Sequence, residues 1–334
     1  MLVKDLLRRA ASIAKRPITV LFPRHLFRSI RAGSGRLHVL RNPPVHVRAY
    51  YRYCQDGLSA ALSCTEGNAS VWLVFQDQAH LPPPGAVVVV LQLEHTLVAP
   101  GGRDLGDAPL GVVPLTSGQG RYFVRLEGGT APYTRADGII DYSVPNLVNI
   151  AESTLAGLYQ GKAEYVAPLL SAPPKDPRPA NTPTVVTMHG RPTEGRRGAV
   201  FHQLQRAGIS PRNIENVWED YEPAFQDAAI LLNVHQTDHH HTLEELRIMP
   251  ALLQGVLVVT EDVPLLEHVP YHSFLITSSY ENLAETVHHV QAHYTEYWNE
   301  RFGDGQLQNA YQALALTNQR AFERLVTKAL ARAA

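Results

Sequence analysis

The feature that most constrains this chain is a set of short apolar runs with almost no polar alternation: 71–75 (VWLVF), 87–91 (VVVVL), 229–234 (AILLNV) and 256–260 (VLVVT). A strand with one face in water alternates apolar and polar residues. A strand covered on both faces does not, and such strands belong to parallel sheets sandwiched between helices. Further strands are expected at 138–140, 163–166, 184–188 and 273–276, with a short one at 213–218. Helices are expected at 144–159, 196–207, 221–228, 242–254, 280–296 and 305–332. Gly208 and Gly255 stand where a helix stop is wanted. Strand–helix alternation predicts a doubly wound α/β fold.

The segment 171–183 (SAPPKDPRPANTP) carries five prolines, which forbid regular helix or central strand and make it a stiff connector. A chain of 334 residues exceeds the usual size of one core. The expected organisation is therefore an N-terminal Rossmann-like domain at 1–170 and the linker at 171–183. A second α/β domain follows at 184–304, and a terminal helix at 305–334 returns to the first domain. The Gly- and Pro-rich stretch 97–120 reads as loop. In open α/β sheets ligands bind beyond the carboxyl ends of the strands, which selects the loops after Met188, Val234 and Thr260.

A hydrophobic fraction of 45% allows a large core, and a formal net charge of −1 argues against a nucleic-acid protein with a basic surface. Two cysteines, Cys54 and Cys64, provide no metal-ligand framework and suit a reducing cytoplasm. No apolar stretch matches a secretory leader or a membrane span. Charge is nonetheless uneven: residues 1–36 hold nine basic side chains against the single acid Asp5. Leu2, Leu6, Leu7, Ala10 and Ile13 recur near helical spacing. That pattern fits either peripheral contact with an anionic membrane face or packing of the stripe on the domain.

Two loops concentrate groups suited to an anionic ligand. After the first strand of the second half comes His189-Gly190-Arg191, and Arg196-Arg197-Gly198 then opens a helix. Glycine permits close backbone approach, a helix start offers free N–H groups, and guanidinium forks match phosphate oxygens. Arginine in a first helical turn opposes the helix dipole unless an anion compensates. The second loop runs from Asn233 through His235 to Thr242, Leu243, Glu244 and Glu245. Thr242 with Glu245 fits a capping box, placing a helix start at the same cleft, with Glu245 turned toward it and Glu244 pointing elsewhere. Glu244 or Glu245 is a candidate ribose ligand. The run Asp238-His239-His240-His241 lacks the spacing of a closed metal site, and no metal is expected.

On these residues the second half resembles the donor domain of GT-B-fold glycosyltransferases, in particular the large retaining group that builds bacterial polysaccharides. Residues 190–198 (GRPTEGRRG) are similar to that family's Gly-Arg loop, 229–236 (AILLNVHQ) to its strand leading into the nucleotide loop, and 251–267 to its helix–glycine–strand–glutamate segment. The pattern LNxH…LEExR is closer still. The resemblance covers about 184–295. It implies diphosphate contacts from Gly190, Arg191, Arg196 and Arg197, further donor contacts from Trp218, His235, Thr242, Leu243, Glu244 and Glu245, and Glu267 at the family's last glutamate. It departs where the family carries a glutamate pair: Thr242 and Pro250 stand there, so the ribose carboxylate is moved or replaced.

In the first half, Glu94 and His95 follow a strand and should face the cleft. Either is a candidate base or orienter on the acceptor side, or simply hydrogen-bonded structure. Asp141-Tyr142-Ser143 ends another strand and is open to the same two readings, and Gly33-Ser34-Gly35 is the faint counterpart of a glycine-rich loop. The expectation is a metal-independent, cofactor-free transferase. It would move a sugar from a nucleotide diphosphate sugar to a carbohydrate or lipid-linked acceptor, in surface polysaccharide synthesis, with Arg191 and Arg197 stabilising the departing diphosphate. A sugar-nucleotide epimerase and a non-catalytic nucleotide- or partner-binding module are the alternatives.

Overall fold

A computed structural model describes residues 26–66, 68–98, 123–126, 129–173, 179–215, 221–238 and 242–333. The apolar stripe and basic cluster of residues 1–25, most of the loop at 97–120, Trp218 and the histidines His239, His240 and His241 lie outside them.

The described chain is mixed α/β, with two mostly parallel sheets and helices on their faces. The first sheet is assembled from β1 (Phe27–Ala32), β2 (Gly35–Leu40), β3 (Ser70–Phe75), β4 (Val87–Gln92), β7 (Gly138–Asp141) and β8 (Ala163–Tyr165), in the order β1-β2-β3-β4-β7-β8. Only β1 and β2 pair antiparallel, and every other neighbour is parallel. Gly33 turns this hairpin at φ +60°, and a Cβ there would lie 2.9 Å from the Ser63 carbonyl oxygen. The Gly33-Ser34-Gly35 stretch is thus a hairpin turn packed on the end of a helix. Two short strands, β5 (Leu97–Val98) and β6 (Phe123–Val124), pair antiparallel beside this sheet.

The helices of this half are α1 (Arg48–Ser63), α2 (Ala131–Arg135), α3 (Val144–Ala151) and α4 (Ala156–Tyr159). The single helix expected at 144–159 is therefore two: a turn at Ser153, whose hydroxyl donates to the Ile150 carbonyl, separates them. The β1–β2 hairpin and α1 were not anticipated.

The second sheet comprises β9 (Val185–Thr187), β10 (Arg212–Asn213), β11 (Ile230–Asn233), β12 (Leu257–Glu261) and β13 (Leu275–Ser278), in the order β10-β9-β11-β12-β13 with every pair parallel. Relative to chain order this is 2-1-3-4-5, a doubly wound arrangement whose direction reverses between β9 and β11. Its helices are α5 (Gly195–Arg206), α6 (Tyr221–Phe225), α7 (Glu245–Leu253), α8 (Leu283–Ala292) and α9 (Tyr294–Phe302). The central strands β11 and β12 are buried at every residue, as their uninterrupted apolar character requires.

The last helix, α10 (Gln306–Ala333), touches both cores. Leu307 and Leu314 join the apolar cluster of the second sheet, and Ala321, Phe322, Leu325, Val326 and Ala329 join that of the first. Asn318 bonds both backbone groups of Ala167 and donates to the Tyr53 hydroxyl. Gly57 lies where α10 crosses α1: a Cβ there would meet the Phe322 ring at 2.1 Å. No helix among the described residues is long and apolar enough to cross a membrane.

Candidate functional site

The carboxyl ends of strands from both sheets open onto one cleft of about 840 Å³. It lies at the β9/β11 reversal, where a doubly wound sheet leaves room for a ligand. Met188 and Gln236, from the loops after those two strands, line it, together with Arg197, Glu244 and Arg247. The opposite wall carries Glu94, His95 and Tyr142, the 3-10 turn 76–78 after β3, and His46.

Beneath the second-sheet wall, polar residues at the strand ends clamp one another. The Thr187 hydroxyl and the His189 N–H donate to the Asn213 side-chain oxygen at 2.8 and 3.0 Å. The Val234 N–H donates to His189 Nε2 at 3.2 Å. The Asn233 amide donates to the Thr260 hydroxyl at 3.0 Å. His189 is buried, and burial together with the charges of Arg247 and Arg197 holds its pKa well below the ordinary value. It is a neutral ring accepting at Nε2, so its proton resides on Nδ1.

Three cations stand above this floor, and two of them face the cleft. Arg197, in the first turn of α5, is buried and donates from Nε to the Val234 carbonyl at 2.9 Å, leaving its Nη2 at 3.6 Å from the Glu244 carboxylate. Arg247, in the first turn of α7, donates to the Asn233 side-chain oxygen at 2.9 Å and pairs with the same Glu244. Burial pushes the Arg197 guanidinium down to about 10. Burial, then the charge of Arg197, pushes Arg247 down to about 9. Two cations with one carboxylate between them leave this wall of the cleft with an excess of positive charge.

Arg196 is engaged elsewhere. It makes a fork-to-fork pair with Glu261 at 3.1 and 2.8 Å, pairs with Asp238, and stacks 4.0 Å over the Tyr280 ring. Glu261 also accepts from the His235 N–H at 2.6 Å. This cluster ties α5, β11, β12 and the turn before α8 together, and Arg196 does not line the cleft. Arg191 also departs from expectation. It is exposed, pairs among the described residues with Glu194 at 3.3 Å, and does not line the cleft. Gly190 is exposed with open space at its Cβ position, whereas Gly198 is compelled: a Cβ there would meet the Thr193 carbonyl oxygen at 2.3 Å.

The capping box expected at Thr242 and Glu245 is absent. Helix α7 begins at Glu245 with Glu244 in the cap position, and the Thr242 hydroxyl is buried with no hydrogen-bond partner among the described residues. That shift reverses the roles of the two glutamates. Glu244 faces the cleft. Glu245 is wholly buried and accepts from the Tyr165 hydroxyl of β8 at 3.2 Å and the Tyr271 hydroxyl at 2.9 Å. Burial pushes the Glu245 carboxyl up to about 8, and burial likewise raises the nearby Asp141 to about 7. Leu243 is buried core, and His235 is buried with its backbone held by Glu261 and Arg196, so neither lines the cleft. Glu267 is largely exposed beside His268 and is likewise outside the lining.

The facing wall is held just as firmly. Asn146 accepts from both the N–H and the hydroxyl of Thr96, and its amide donates to Asp141 and to the Glu94 carbonyl. The loop bearing Glu94 and His95 is thereby fixed against β7. The Tyr142 hydroxyl lies 3.3 Å from His95 Nδ1, orienting that ring within the cleft.

Of the residues singled out from sequence, Glu94, His95, Arg197 and Glu244 therefore meet at the cleft. Arg247 and Tyr142 complete it: Arg247, the arginine of the LEExR pattern, is not among the candidates read from sequence, whereas Tyr142 belongs to the strand-end triplet after β7 that is. Among the described residues no group of three or more His, Cys, Asp or Glu side chains is arranged to hold a metal ion.

No family model matches the chain. It is 26% identical over 113 residues to the uncharacterized protein R358 of Acanthamoeba polyphaga mimivirus, a match covering 33% of this chain and 40% of that protein. In structure it aligns with a chain of the accessory secretory protein 1, 2 and 3 crystal structure from Streptococcus pneumoniae, with a TM-score of 0.44 and 8% identity, covering 86% of this chain and 57% of that one. The chain thus spans well under two thirds of the length of either, and neither similarity assigns an activity.

Proposed function

We propose that this chain is a glycosyltransferase of the GT-B type that takes its sugar from a nucleotide diphosphate donor. The observation that carries the reading is the convergence of Arg197 and Arg247 on a cleft at the strand-order reversal, opposite His95 and Glu94. The two guanidiniums supply forked donors for a diphosphate. In the transfer step the acceptor hydroxyl oxygen forms a bond to the anomeric carbon as the bond from that carbon to the diphosphate oxygen breaks. The hydroxyl proton passes to a base on the facing wall, for which His95, oriented by Tyr142, is the first candidate and Glu94 the second. The negative charge that grows on the leaving diphosphate is met by Arg197 and Arg247. On this reading no divalent cation is required.

Calorimetric titration with uridine, guanosine and adenosine diphosphates tests the donor site, and release of nucleoside diphosphate from the corresponding nucleotide sugars tests turnover. Binding of at least one nucleoside diphosphate in competition with its sugar conjugate is expected. Binding without turnover on any acceptor would favour a non-catalytic nucleotide-binding module. Activity abolished by EDTA and restored by Mn²⁺ would overturn the metal-independent step.

A further inference from the structure

Glu244 occupies the space between the two guanidiniums that face the cleft. Its carboxylate lies 3.6 Å from Arg197 Nη2 and pairs with Arg247 as well, and its side chain is only 16% exposed. Each arginine has its remaining anchor in the protein: Arg197 holds the Val234 carbonyl and Arg247 holds Asn233. The other carboxylate near Arg197, Glu261, is hydrogen-bonded by Arg196 and by the His235 N–H. The His189 ring behind them is neutral. Glu244 is consequently the one carboxylate, among the described residues, paired with these two cations, with one oxygen toward each guanidinium.

Accepting the diphosphate reading of the cleft, on which this rests, we infer that Glu244 is a resident counter-ion that a ligand must displace, and that it makes the seat selective for diphosphates over single phosphates. A carboxylate and a phosphoryl group present the same pair of oxygens to a guanidinium fork. A single phosphoryl group can bridge the two arginines as Glu244 does, one oxygen to each, but it brings little more negative charge than the carboxylate it expels, so it gains little. A diphosphate brings a phosphoryl group for each fork and more negative charge than the carboxylate it evicts. Glu244 therefore weakens every phosphate ligand, and weakens single phosphates most in relative terms.

The test is calorimetric titration of the full chain, wild type against Glu244→Gln and Glu244→Ala, at one ionic strength, with pyrophosphate, orthophosphate and uridine or guanosine diphosphate. Melting curves establish that each variant is folded. Glutamine retains the size of the side chain, and alanine removes its hydrogen-bonding end, so two independent variants carry the test. Both are expected to bind pyrophosphate at least about tenfold more tightly than wild type, the scale of one charged hydrogen bond no longer broken on binding. The preference for pyrophosphate over orthophosphate should narrow. Unchanged or weaker pyrophosphate binding in both folded variants overturns the inference. If nucleoside diphosphate binding falls while pyrophosphate binding is unchanged, Glu244 is a ribose ligand and the counter-ion role is wrong. Wild-type protein and variants that all bind no nucleoside diphosphate overturn the reading of the cleft itself.

Discussion

Arg247 Nη1 donates to the side-chain oxygen of Asn233 at 2.9 Å, joining the first turn of α7 to the last residue of β11. Asn233 in turn donates to the Thr260 hydroxyl at the end of β12. The cation is thus aimed by two strands that pair in register, Asn233 opposite Thr260. Arg247→Gln and Arg197→Ala are each expected to weaken nucleoside diphosphate binding by about 1.5–3 kcal/mol, the range for hydrogen bonds to a charged group. Asn233→Ala should cost less, because it loosens the guanidinium without removing it. Calorimetry with melting curves checks the order. Asn233→Ala more harmful to binding than Arg247→Gln would contradict it.

Arg191 should behave differently from Arg197 despite sharing one loop. It is exposed and pairs with Glu194 three residues on, an arrangement that contributes little in water. Arg191→Ala is expected to change nucleoside diphosphate affinity by less than about 0.5 kcal/mol, as surface substitutions commonly do. A loss as large as that of Arg197→Ala would mean that the loop closes over the ligand and brings Arg191 into contact with it.

Glu245 makes stability depend on pH. Burial raises its folded-state pKa from 4.5 to about 8. A carboxyl with a raised folded pKa favours the folded state while neutral, and that contribution is lost as pH climbs from the unfolded value through the folded one. The melting temperature of Glu245→Gln minus that of wild type should therefore rise between pH 4.5 and about 8. Asp141, raised from 3.8 to about 7, acts in the same direction in both proteins, and its charge adds to the rise at Glu245, so the difference reports Glu245 together with that coupling. A difference that stays flat across this range would show that Glu245 keeps an ordinary pKa.

Gly57 gives a stability prediction of opposite sign to helix propensity. Alanine in a helix interior is ordinarily more favourable than glycine. Here its Cβ would meet the Phe322 ring of α10 at 2.1–2.5 Å, and Phe322 is buried. Gly57→Ala should cost about 1–3 kcal/mol, the usual penalty of overpacking. In a Phe322→Ala background the same change should become neutral or favourable. Equal effects in the two backgrounds, measured by denaturant unfolding, would rule out the clash.

What the sequence determined by itself was the set of doubly covered strands, since an uninterrupted apolar run is stable only when both faces are buried, and β3, β4, β11 and β12 fall where VWLVF, VVVVL, AILLNV and VLVVT stand. It also placed a helix start carrying Arg196 and Arg197 after β9, where α5 begins at Gly195. It left α1 unseen, although Tyr50, Tyr51, Cys54, Leu58, Ala61 and Leu62 recur at helical spacing along its buried face, and only the partner helix α10 explains Gly57. Between neighbours such as Arg196 and Arg197, or Glu244 and Glu245, local pattern had no power to choose. One residue along a helix is a rotation of about 100°, so the side chain that meets the cleft is set by how the helix docks. For α5 the docking is decided by Glu261, Asp238 and Tyr280 capturing Arg196. For α7 it is decided by the hydroxyls of Tyr165 and Tyr271, distant in sequence, which draw Glu245 inward and leave Glu244 facing the two arginines.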